Sequence, residues 1–165
     1  MSAVIKPQYA ELNQKFKFRP MHKDDLDVIM KIEPLIYPYP WTRGNFSDSL
    51  DSGYSAWVLL QQEQGNQEIL VGYALLMIVI DEAHLLNLSI ASPYQKQGLG
   101  RYLLEFMLQI AKDHHAANMF LEVRPSNIPA IALYENTGFN EMAIRRNYYP
   151  AKSGREDALL MGLAL

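Results

Sequence analysis

The sequence predicts a single α/β domain: a mixed, mostly antiparallel sheet with helices on both faces. Three observations carry this. The 165 residues, 49% hydrophobic and 20% charged, suit one soluble core and show no repeat, linker or low-complexity segment. Short runs of strand character alternate with stretches of helical spacing, in the order β-α-α-β-β-β-α-β-α-β-β. One strand–helix–strand unit, 84–123, demands a parallel pair with a crossover, whereas the meander before it turns tightly and runs antiparallel.

Residues 1–14 read as a loosely docked N-terminal extension and 15–165 as the domain. The extension has no apolar h-region, so no secretory signal is expected and the cytoplasm is the expected compartment. Lys15–Met21 sets Phe16 and Phe18 against Lys15, Lys17 and Arg19, the alternation of a first strand. Lys23–Ile36 predicts a helix: Leu26, Ile29, Met30 and Ile32 or Glu33 share a face, and Asp24, Asp25 and Asp27 suit the N-terminal dipole. Pro34, Pro38 and Pro40 then break the chain into a rigid aromatic loop, Tyr37–Thr42, and Thr42 caps a second helix to about Leu50.

Ser55–Gln62 and Glu68–Ile80 are strands around a Gly65-Asn66 turn. The apolar run Ile69–Ile80 falls short of the roughly 20 residues of a membrane helix, and its β-branched content marks a buried strand. Asp81-Glu82 forms the next turn and His84–Ile90 the next strand. Leu99, Leu103, Phe106, Met107 and Ile110 define a helix from Gly98 to about His115. Asn118–Val123 is a strand, and Asn127–Asn136 a helix capped by Asn127 and stopped by Gly138. Phe139–Tyr148 and Glu156–Leu163 close as an antiparallel pair.

A net charge of −3 argues against a nucleic-acid partner, and no membrane segment is expected. The absence of cysteine excludes disulfides, thiolate metal sites and a cysteine acyl-enzyme. His22, His84, His114 and His115 lack ligand spacing, so no metal is expected.

The chemistry centres on 84–104. A strand runs into Gln95-Lys96-Gln97-Gly98-Leu99-Gly100 and at once into a helix beginning near Arg101. Free N–H groups and the helix dipole converge there, which makes an anion site of backbone that Lys96 and Arg101 can reinforce. Neither a Walker loop nor a dinucleotide fingerprint fits, since Leu103 stands where a third glycine is needed. The hexapeptide instead fits Gln/Arg-x-x-Gly-x-Gly; its other reading is simply a tight entry into a helix.

Glu122, inside MFLEV, is a carboxylate on a strand expected to be buried on both faces. It is either a general base tuned by its surroundings or half of a same-face ion pair with Arg124. Tyr134 and Asn127, taken alone, read as a packed phenol and a helix cap.

The hexapeptide resembles the pyrophosphate loop of the GCN5-related N-acetyltransferase (GNAT) family. The run FLEVRPSNIPAIALYENTGFNEMAIRRNYYP makes the likeness specific to RimI-type ribosomal-protein N-terminal-alanine acetyltransferases, over about Lys15 to Leu163. The resemblance implies the acyl-CoA N-acyltransferase sheet, splayed between its fourth and fifth strands. It implies acetyl-CoA as co-substrate, with Leu88, Ser89 and Ile90 pairing to the pantetheine arm, Gln95, Lys96, Gln97, Gly98, Leu99, Gly100 and Arg101 on the pyrophosphate, and Asn127 near the thioester. Glu122 would be general base and Tyr134 general acid. The acceptor would be the N-terminal alanine of protein eighteen of the small ribosomal subunit, met by Trp41, Asp81, Glu82, Tyr148 and Tyr149. The working form would be a monomer or weak homodimer.

The chain departs from the group in its N-terminal extension and in Ala91-Ser92-Pro93, where an acidic residue often precedes the proline. Two other readings stay open: acetylation of another primary amine (a polyamine, amino acid, aminoglycoside or lysine side chain), or a non-catalytic acyl-CoA-binding module.

Overall fold

The apolar run beginning at Ile69 becomes an interior strand of the sheet, because only a strand paired on both edges and covered on both faces can bury its stretch from Leu70 to Leu76. A computed structural model describes residues 6–165. The strands are β1 (Phe16–Pro20), β2 (Ser55–Gln62), β3 (Glu68–Val79), β4 (Glu82–Ile90), β5 (Asn118–Val123), β6 (Asn140–Ala151) and β7 (Gly154–Ala164). The helices are α1 (Ala10–Lys15), α2 (Leu26–Ile36), α3 (Arg43–Asp51), α4 (Leu99–Asp113) and α5 (Ile128–Thr137). The sheet order is β1-β2-β3-β4-β5-β7-β6, antiparallel except for β4–β5.

Helices cover both faces, as the sequence predicts. On one, Leu26, Ile29 and Phe46 of α2 and α3 pack on Val58, Leu60, Tyr73 and Leu75. On the other, Leu99, Leu103 and Met107 of α4 and Tyr134 of α5 pack on Leu59, Val71, Ala74 and Leu76. Each fully buried large apolar side chain contributes about 1.5–3 kcal/mol.

One irregularity shapes the rest. β4 pairs with β5 only from Glu82↔Asn118 to Leu85↔Leu121, although β4 continues to Ile90 and β5 to Val123. Against β3, Leu76 pairs with Leu85 and Leu75 with Asn87, so Leu86 is an extra residue in β4. Such a bulge bends its strand. β4 turns away from β5 just there, and the sheet opens as a wedge.

Several boundaries differ from the sequence reading. Residues 1–5 of the expected extension lie outside the described residues. The remainder forms a turn at Pro7–Tyr9 and then α1, docked on α4: Tyr102 donates to Asn13 Oδ1 at 2.7 Å and Lys6 pairs with Glu105 at 2.7 Å. Pro34 does not break α2: it lies in the last turn, gives up only the bond to the Met30 carbonyl, and the helix ends two residues later at Ile36. The β3–β4 turn is Ile80-Asp81, since Val79 already pairs with Glu82. β6 extends to Ala151 because its RRNYYP run is accommodated as a bulge between Arg145 and Tyr149. Arg155 holds that bulge by donating to the Asn147 and Tyr148 carbonyls at 2.8 and 2.9 Å. Among the described residues no helix is long and apolar enough to cross a membrane.

Candidate active site

The wedge contains two adjoining cavities. One, of about 270 Å³, lies between Leu88 of β4 and the Asn127 and Tyr134 side of α5. The other, of about 540 Å³, is bordered by Glu82, His84, Arg145 and Tyr148. Glu122, Trp41 and Tyr149 line both. β5 positions Glu122 at the junction because its pairing with β4 has just ended at Leu121, which leaves the next side chain facing the opening.

Glu122 has an ion-pair partner, but it is Arg145, at 3.1 Å, and not Arg124. Arg124 stands one residue beyond the end of β5. Its guanidinium donates to the Pro150 carbonyl at 2.7 Å, lies 3.4 Å from Glu156 and sits 4.4 Å from the Tyr149 ring centre. The nearby Glu122 carboxylate raises the Tyr148 phenol above its usual range. Tyr134 is 8% exposed, and burial pushes its phenol well above the usual range. It therefore carries its proton at every working pH. Asn127 caps α5 by accepting from Ala130 N at 3.3 Å and also lines the smaller cavity.

The loop before α4 has the backbone of an anion nest. Lys96 (φ 60°) and Gly98 (φ 80°) are left-handed on either side of Gln97, which turns successive N–H groups inward. Leu99 is buried in the core, so only its backbone can serve a ligand. A Cβ at Gly100 would come no closer than 3.5 Å to Leu133, an ordinary contact. No internal clash therefore demands glycine there, while close approach of a phosphate would. Gln95 Nε2 donates to the Ile90 carbonyl at 2.9 Å and Gln97 Nε2 to the Pro93 carbonyl at 3.5 Å. Arg101 is engaged by Glu105 at 3.1 Å.

The expected acceptor residues divide. Trp41, Glu82, Tyr148 and Tyr149 line the larger cavity, with Glu82 Oε2 3.3 Å from His84 Nε2. Asp81 remains in the turn, and its side chain lines neither cavity. Ser89 and Ile90 are buried beside Leu88 on β4.

The sequence reading missed Glu33. Only 1% exposed, it also lines the smaller cavity. Its carboxylate accepts from the Tyr73 hydroxyl, from Trp41 N at 3.1 Å and from Asn87 Nδ2 at 3.4 Å. The available signal was its place on the apolar stripe of α2, four residues after Ile29. Burial raises its pKa, and the three hydrogen bonds oppose that only in part.

A carboxyl with a raised folded-state pKa binds its proton more tightly folded than unfolded. Its contribution to stability is complete below the ordinary carboxylate range and is lost as pH rises through the raised value. Glu33→Gln keeps the shape but cannot ionise. It is expected to gain stability relative to the parent as pH is raised above about 4.3. Urea unfolding of both proteins across pH reads this directly, and a pH-independent difference would refute the raised value.

Residues 26–139 match the acetyltransferase (GNAT) family. The chain is 41% identical, over 141 residues, to the ribosomal protein bS18-alanine N-acetyltransferase of Escherichia coli (strain K12), covering 86% of this chain and 92% of that protein. It is 37% identical over 142 residues to the protein of the same name from Haemophilus influenzae, covering 86% and 93%. The crystal structure of the ribosomal-protein-S18-alanine N-acetyltransferase from Escherichia coli superposes with a TM-score of 0.80 at 39% identity, covering 90% of this chain and 93% of that one.

Proposed function

Because this chain belongs to the acetyltransferase (GNAT) family, and is thereby an acetyl-CoA-dependent N-acetyltransferase, we propose that its acceptor is the N-terminal α-amine of a protein. The acceptor chain we assign is ribosomal protein bS18 with its N-terminal alanine, the substrate named for its relatives. One observation carries this reading beyond the family: Glu122 stands where a cavity beside the β4 edge meets a wider, aromatic-walled one. A single carboxylate is thus shared between a cofactor side and an acceptor side.

An α-amine has a pKa of roughly 7.7–8.0, so at neutral pH most of it is ammonium and cannot attack. Glu122 takes that proton, directly or through one water, while Arg145 holds the carboxylate in place. The amine forms the new N–C bond as the C–S bond breaks, and the second proton that the nitrogen sheds passes to the departing thiolate, so that CoA leaves as the thiol. Charge developing on the thioester oxygen meets a backbone N–H at the splayed edge of β4, near Leu88–Ile90. Tyr134 donates a hydrogen bond to the departing sulfur. The left-handed loop from Gln95 to Gly100, with Lys96 and Arg101 beside it, holds the pyrophosphate, and Asn127 contacts the cofactor near the thioester. Trp41, Tyr148 and Tyr149 wall the acceptor groove. Glu82 and, farther out, Asp81 draw in a basic peptide.

Mass spectrometry of short peptides incubated with acetyl-CoA tests the acceptor. A peptide beginning Ala-Arg is expected to gain one acetyl group. A peptide with a blocked terminus and an internal lysine is expected to gain none. Equal labelling of both would replace the α-amine by a general primary amine.

A further inference from the structure

Beyond Leu85 the β4 strand is an edge inside the molecule, since β5 no longer pairs with it. Ala91 N donates to the Val71 carbonyl at 2.8 Å, so the peptide groups of Ile90 and Leu88, by alternation, face the gap. Two side chains reach that edge. Gln95 takes the Ile90 carbonyl at 2.9 Å, and the Tyr37 hydroxyl donates to the Leu88 carbonyl at 3.0 Å.

Tyr37 is itself locked from behind. Its oxygen is 3.0 Å from Ser89 Oγ. Ser89 gives its own hydrogen to Asn87 Oδ1 at 2.7 Å, so toward Tyr37 it accepts, and the single Tyr37 hydrogen is shared between Ser89 Oγ and the Leu88 carbonyl, each 3.0 Å away. Asn87 Nδ2 in turn donates to Glu33 at 3.4 Å, and Glu33 also holds Tyr73 and the backbone of Trp41. Among the described residues the buried polar side chains are Glu33, Ser49, Asn87 and Ser89, and three of these stand behind Tyr37. A satisfied polar network in a core rigidifies what it touches, at a high cost if any member is left unpaired. This one ends on a single backbone carbonyl.

We propose that Tyr37 is a positioning residue for the cofactor arm: its hydroxyl, held by Ser89, Asn87 and Glu33, fixes the Leu88 peptide so that the free edge of β4 presents one register to the amides of the pantetheine arm. This rests on the acetyl-CoA reading above. The carbonyl has two lone pairs, so it can accept from Tyr37 and from a ligand amide at once. Without the brace, the bulged edge would have to be ordered by the ligand itself, and affinity would fall by the ordering cost.

Tyr37→Phe keeps the ring and removes the hydroxyl. It is expected to raise KM for acetyl-CoA about tenfold, equivalent to ~1.4 kcal/mol, while KM for the peptide and kcat change less than about twofold. Amide hydrogen exchange at Ser89 and Ala91, which face β3, is expected to speed up in the ligand-free variant, with β1 and β2 unchanged. Ser89→Ala, which removes the lock but not the brace, is expected to shift KM for acetyl-CoA in the same direction by about threefold. It carries the test should Tyr37→Phe fold poorly. An unchanged KM for acetyl-CoA, or an equal rise in KM for the peptide, would overturn the proposal. If the parent protein fails to bind acetyl-CoA at all, the functional reading falls. The exchange rates at Ser89 and Ala91 still decide whether Tyr37 braces the edge.

Discussion

Glu122→Gln is expected to lower kcat by about 10²–10⁴-fold, the usual worth of a positioned general base, while acetyl-CoA affinity stays within about twofold. Glutamine keeps the size of the side chain, and its carbonyl can still accept from Arg145. What is lost is the capacity to take a proton. Because Glu122 is 23% exposed and its partner Arg145 55%, the ion pair itself contributes little to folding, and the melting temperature should move by no more than a degree or two. The deficit has a pH signature. As pH rises above about 8 the acceptor amine loses its proton to solvent, so the variant should recover relative to the parent. Steady-state kinetics from about pH 7 to pH 9.5, with acetyl-CoA binding by calorimetry, separate the two cases. Parallel loss of turnover and cofactor binding, with no recovery at high pH, would make Glu122 a structural residue.

Tyr134→Phe is expected to lower kcat by about 10- to 100-fold. The physical reason limits the size. A thiol like that of CoA has a pKa near 8.5, while an ordinary phenol is near 10 and burial pushes Tyr134 higher still. Full proton transfer from phenol to thiolate is therefore uphill. Donation of one hydrogen bond to the developing sulfur anion is not, and a hydrogen bond to a charged group is worth about 1.5–3 kcal/mol, or one to two decades in rate. Phenylalanine fills the same space beside Phe139, whose ring centre lies 5.7 Å away, so the core should tolerate it. Pre-steady-state kinetics at saturating substrates check that the loss falls on the chemical step. A drop beyond about 10⁴-fold would instead assign Tyr134 full general-acid work, and no drop would remove it from the mechanism.

The elements were legible because their signals are local. The two-residue alternation around Phe16 and Phe18, the helical stripe from Leu99 to Ile110, Thr42 as a cap and Gly138 (φ 109°) as a stop each act within one turn or one pleat. The misplaced turn at Asp81-Glu82 and the break expected at Pro34 are errors of one or two residues, set by hairpin register and by position within a helix. The bend before α4 was legible for the same reason as the caps: alternating left-handed residues and an incoming helix occupy one short stretch.

The neighbours of Glu122 were not. Period two correctly placed Arg124 on its side of the strand, but the strand stops at Val123, and Arg145 arrives instead from β6 on the far side of β7. Glu33 meets Trp41, Tyr73 and Asn87 from three other parts of the chain. Local hydrophobic spacing and turn chemistry are enough to order helices and strands and to shape the left-handed bend before α4, since each depends on atoms only a few residues apart. Which charge faces which, and where the sheet parts to admit a ligand, depend on a one-residue bulge at Leu86 and on side chains far apart in the chain. Those pairings exist only after the layers have packed.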